Sequence, residues 1–167
     1  MDEKPYPFTP EQLAWLIDLE TTEEPQTQGS LHRLVSTIER PAGYCPLGRA
    51  AVVLGLKESP CSHDEYLGSF HGSSAQLFPF RLLHLRGSSG ELRQAVRDPD
   101  TGEHWETLAE INDEMGWTFK EIAAYIRAHP WNVFIDPAGK HDADCPHAEP
   151  RAVQACNCGF YKRDFSK

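Results

Sequence analysis

The first stretch with a clear period begins at Thr9. Thr9-Pro-Glu-Gln12 combines an N-cap threonine, a proline at the first helical position and a glutamine placed to close a capping box. Leu13, Trp15, Leu16, Ile17 and Leu19 then supply a broad apolar side, so the pattern predicts a helix from Pro10 to about Glu20. Thr21 to Gln28 is an acidic, proline-containing loop. β-Branched residues and partial alternation predict a strand near Leu31 to Ser36, with Pro41-Ala-Gly43 ending that stretch. Pro46 to Leu56 is apolar on nearly every side, which suits a helix buried in the middle of a domain.

Residues 57–76 are rich in Ser, Gly, His and Pro without a period and predict an irregular excursion. Leu77 to Leu85 is aromatic and leucine-rich, interrupted by Pro79, and fits an edge strand or a short helix. Gly87-Ser-Ser-Gly90 and Asp98-Pro-Asp-Thr-Gly102 are turns. From His104, the residues Trp105, Leu108, Ile111 and Met115 recur at helical spacing until Gly116 closes the element. A second box, Thr118-Phe-Lys-Glu121, opens a further helix with Phe119, Ile122, Ala123 and Ile126 on one face, and the two helices are expected to form a hairpin. Pro130 stops the second, and Trp131 to Ile135 is expected as a last short strand before Asp136-Pro-Ala-Gly139. The sum is an α+β domain, mostly helical with a short β-sheet, over residues 1–137. Residues 138–167 follow as a tail of Cys, His, Asp and small residues.

Composition narrows the function classes. The chain has 167 residues, about 40% of them hydrophobic, which is long enough for a proper core without disulfide staples. Its formal charge of −9 argues against phosphate-backbone binding, so nucleic acid is an unfavoured partner. Residues 1–24 carry seven acids against one lysine, and residues 91–121 nine acids against three bases. Such faces are ordinarily solvated, though they also permit an acidic inhibitor of a nucleic-acid-binding protein. The longest apolar run, Ala50 to Leu56, is far short of the roughly 20 residues of a membrane span. The N-terminus has neither the basic start nor the apolar core of a secretory signal, and the expected location is the cytoplasm.

Three of the five cysteines fall in the last 23 residues. Zinc takes tetrahedral sulfur and imidazole ligands, and Cys145, His147, Cys156 and Cys158 make a closed structural set, with His141 as an alternate. Competing uses are a tail without metal, and redox or disulfide chemistry. A metal-dependent hydrolase or nuclease would draw on the same cluster with Asp142, Asp144 or Glu149. His147-Ala-Glu149 with Cys156 and Cys158 also suggests a zinc deaminase, but the six residues from Pro150 to Ala155 cannot supply the helix and strand that signature needs. Cys61-Ser-His63 repeats the Cys-x-His spacing and is most simply coincidence.

Cys45 precedes Pro46 at the start of the central helix, where a dipole could activate a thiol, but burial as a small hydrophobe is the simpler account. Asn112, Asp113 and Glu114 suggest acid-base work or magnesium, and the plainer expectation is that the two charges beside the helix end face solvent or cap it. Trp131, Phe134 and Tyr125 are expected in the core by default, or on a docking surface. No catalytic residue is assigned, and the oligomeric state is left open.

Gln28-Gly-Ser-Leu31, Tyr44-Cys-Pro-Leu-Gly48, Leu108-Ala-Glu-Ile-Asn-Asp113 and Thr118-Phe-Lys-Glu-Ile-Ala123 together resemble a group of small bacterial, prophage and phage proteins. Their shared pattern is Tyr-Cys-x-Leu-Gly, an Asn-Asp turn and a Phe-x-Glu-Ile-Ala helix. The resemblance spans roughly residues 28–128. It implies an architecture and a phage-type setting, with no activity and no catalytic residue. The ending Cys156-Asn-Cys-Gly-Phe-Tyr161 is similar to short endings on other actinobacterial and phage proteins. The expected function is that of a cytosolic accessory protein that binds another protein, with zinc ordering its tail.

Overall fold

The computed structural model describes residues 5–34, 42–61, 64–71, 82–87 and 89–136, with the backbone alone for 57–61 and 64–71. Its elements are α1 (Pro10–Thr21), β1 (His32–Arg33), β2 (Gly43–Tyr44), α2 (Pro46–Val53), β3 (Lys57–Cys61), β4 (Asp64–His71), β5 (Glu91–Arg97), β6 (His104–Thr107), α3 (Leu108–Asp113), α4 (Phe119–Ala128) and α5 (Pro130–Val133). This is a small α+β domain. An antiparallel sheet runs in the order β2-β1-β4-β3, and β5 and β6 make a separate hairpin.

The expected capping boxes form. Thr9 accepts from the amide of Gln12 while the Gln12 side chain accepts from the amide of Thr9, and Thr118 and Glu121 do the same at α4. α1 packs against α4 on one side and α2 on the other. Trp15, Leu16 and Leu19 meet Leu47, Ala50, Ile122, Ile126 and Phe134 in the core. The Trp15 indole N–H donates to the carbonyl of Pro46 at 2.9 Å, fixing α1 against the start of α2. Arg49 pairs with Asp18 and Arg127 with Glu20, so each helix contact also carries an ion pair. The two ends of the fold are tied together: the buried Tyr6 hydroxyl donates to the carbonyl of Ile135 at 2.9 Å and accepts from Gln12 Nε2 at 3.0 Å.

α2 ends at Val53, three residues before the expected Leu56. Gly55 takes φ +69, and the amides of Gly55 and Leu56 return to the carbonyls of Val52 and Ala51, a glycine stop that overrides the apolar run. β1 is shorter than the Leu31–Ser36 strand expected, and residues 35 and 36 lie outside the described set. Gly43, expected to end the stretch, instead begins β2.

Three further expectations are corrected. Residues 57–61 and 64–71 are not irregular but form the paired strands β3 and β4, in register from Lys57↔His71 to Pro60↔Gly68. The pair is joined by its main-chain ladder, and Pro60 is accommodated because β3 is an edge strand. The helix expected from His104 starts only at Leu108. Thr107 is its N-cap, and its box with Glu110 leaves His104–Thr107 to pair with β5. Trp105 shares the helical spacing but sits in a strand. Finally, Trp131 to Ile135 is not a strand: Pro130 opens the single turn of α5, and Phe134 alone bridges to Leu85. Of Leu77–Leu85 only residues 82–85 are described, and Leu83 and Leu85 are fully buried.

The turn at Asp98–Gly102 forms as expected. The Asp98 carboxylate accepts from the amides of Asp100 and Thr101, which holds it below the usual carboxylate range, and Gly102 takes φ +77. It connects β5 to β6. β5 itself has no clear alternation because its pairing with β6 shifts between Glu91 and Val96.

Candidate functional site

The motif residues converge on one place. Tyr44 lies flat between two side chains: its ring stacks on His32 with centroids 3.9 Å apart and planes 8° apart, and Arg49 stands 5.2 Å from the ring centre. Cys45 is the N-cap of α2, and its sulfur accepts from the Gly48 amide at 3.4 Å. Burial pushes this thiol up to about 11, so it stays protonated and does not act as a nucleophile near neutral pH. Gly48 is required for space, because a Cβ there would stand 1.8 Å from the carbonyl oxygen of Leu31. The Tyr-Cys-x-Leu-Gly pattern is therefore a packing device.

The Asn-Asp turn serves the same corner. Asn112 is fully buried, while the two charges beside it, Asp113 and Glu114, are exposed as expected. Its Nδ2 donates to the carbonyl of Thr27 at 3.0 Å and to Asp113 Oδ1 at 2.6 Å, and its Oδ1 accepts from Gln26 Nε2 at 2.7 Å. Asp113 Oδ1 also accepts from the Gly29 amide at 2.9 Å. Gln26 continues the chain of bonds, donating to the carbonyl of Trp117 at 2.6 Å and accepting from the Phe119 amide at 2.8 Å. That amide is one of the orphan donors at the start of α4. Glu114 accepts from the Trp105 indole at 3.1 Å. Asn112 and Asp113 are engaged in the hydrogen bonds of this corner and Glu114 in the bond to Trp105.

A different region is open. A cleft of about 310 Å³ lies between β5 on one wall and α4 and α5 on the other, lined by residues 93–96 with Tyr125, His129, Trp131 and Asn132. Asn132 spans it. Its Oδ1 accepts from the Gln94 amide at 2.6 Å and its Nδ2 donates to the Gln94 carbonyl at 2.9 Å and to the Tyr125 hydroxyl. The carboxamide thus pairs with Gln94 as a residue of a neighbouring strand would. Burial raises the Tyr125 hydroxyl above its ordinary value while the Asn132 bond works the other way, so the phenol stays neutral. Its ring lies 4.9 Å from the His129 ring and 5.6 Å from Trp117. Trp131 and Tyr125 are half-buried and Phe134 fully buried, so the three aromatics expected in the core divide between core and cleft.

The sequence-predicted metal ligands Cys145, His147, Cys156 and Cys158, with the alternate His141, lie outside the described residues, as does His63. Cys61 is described by its β3 backbone. Among the described residues, no group of three or more His, Cys, Asp or Glu side chains is placed to hold a metal ion, and no helix is long and apolar enough to cross a membrane. No protein-family model, curated protein sequence or solved structure matches the chain.

The cleft was not foreseen as a unit. Tyr125 and Trp131 were candidates for a docking surface, but Arg93, Gln94, His129 and Asn132 carry no sequence signal that joins them. The signal for the Asn112 corner was partly present, since Asn112-Asp113 stood out, whereas Gln26 gave no hint of its role.

Proposed function

We propose that this is a non-catalytic accessory protein that works by binding another protein, with the β5–α4–α5 cleft as its contact face. The observation that carries the reading is the cleft itself: half-buried rings of Tyr125 and Trp131 beside Arg93 and His129. Such amphipathic aromatics and arginine are the side chains that anchor protein interfaces, because they bury large area while keeping a polar end. The phage-type setting rests on the motif resemblance, and the motif residues support it only by building the fold that frames the cleft.

The test is a photo-crosslinking amino acid at position 94, compared with one at Glu11 on the far helix, in cells that express the full chain. A protein captured from position 94 and not from position 11, and lost in Trp131→Ala, is the expected result. Equal capture from both positions, or capture indifferent to Trp131, overturns the cleft as the contact face.

A structural zinc held by Cys145, His147, Cys156 and Cys158 belongs to the same proposal, as a device that orders the tail. Elemental analysis of chelator-free protein should find one zinc per chain, lost in Cys156→Ser while the urea midpoint of the core is unchanged. Protein without zinc would remove this part and leave the cleft reading intact.

A further inference from the structure

We draw no further inference here: the strongest candidate, the outer face of α1 where Leu13 and Ile17 stand exposed one turn apart, is an unpartnered apolar surface, and nothing in the structure shows what covers it.

Discussion

Two asparagines, Asn112 and Asn132, do the same local work in opposite surroundings. Each side chain holds a distant main-chain segment through its carboxamide: Asn112 holds the loop at Gln26–Thr27, and Asn132 holds Gln94 on β5. Asn112 is sealed, with its neighbours bonded to each other, whereas Asn132 stands half-buried in a cleft open to solvent. The difference separates a polar group that the fold seals from one that it leaves open to solvent. A sealed polar group must find every bond inside the protein, so its loss is felt as stability; a polar group at an open cleft can exchange its bonds with water or ligand at small cost.

The sharpest way to break the sealed corner is Gly48→Ala. The added Cβ would meet the main chain of Leu31 at 1.8 Å, and a backbone oxygen in a paired segment cannot swing aside as a flexible side chain would. The expected loss is about 3 kcal/mol or more, at the upper end of overpacking costs, measured as a lowered urea midpoint at unchanged slope. An unchanged midpoint would mean that α2 and the strand entry at Leu31 separate easily, and that the corner is not sealed.

Asn112→Ala comes next. It removes the bond to the Thr27 carbonyl and takes from the half-buried Gln26 carboxamide one of its two acceptors, at a cost of about 1–3 kcal/mol. Chemical denaturation checks the value. Hydrogen exchange at Phe119 should also quicken, because Gln26 is the acceptor for that amide and depends on Asn112 for its position. Asn132→Ala is the matched change in the open cluster and should cost only about 1 kcal/mol, since water can replace the lost bonds at Gln94. Its effect belongs to exchange at the Gln94 amide. If Asn132→Ala proved as costly as Asn112→Ala, the cleft would be a structural joint and the contrast would fail.

The contrast also explains what was legible in the sequence. Thr9–Gln12 and Thr118–Glu121 announce their helices because a capping box is complete within four residues. Thr107–Glu110 is a box of the same kind, yet the helical spacing of Trp105 with Leu108 draws the start too early. Asn112-Asp113 is conspicuous as a pair, but its burial depends on Gln26, which lies 86 residues away. β3 and β4 are joined by a main-chain ladder that the Ser, Gly, His and Pro of this stretch do not announce, so the sequence resembles a loop. The cleft was the least legible, because β5 lies about thirty residues before α4 and α5 and a register shift obscures its period.

The smallest effect expected is a titration, and it sharpens the comparison because it belongs wholly to the sealed side. His32 stacks on Tyr44, and burial depresses its pKa below the ordinary histidine value, with the charge of Glu24 working the other way. A base with a depressed folded-state pKa binds its proton more readily when unfolded. The stability from keeping it neutral is thus fully present above the unfolded value of roughly 6.5 and is lost as pH falls through it toward the folded one. Urea midpoints taken from pH 7.5 down to pH 5 should therefore fall less steeply in His32→Gln than in the parent chain. A parallel fall in both proteins would show that His32 gains its proton as freely folded as unfolded, and would remove the stack on Tyr44 from the features that hold this corner closed.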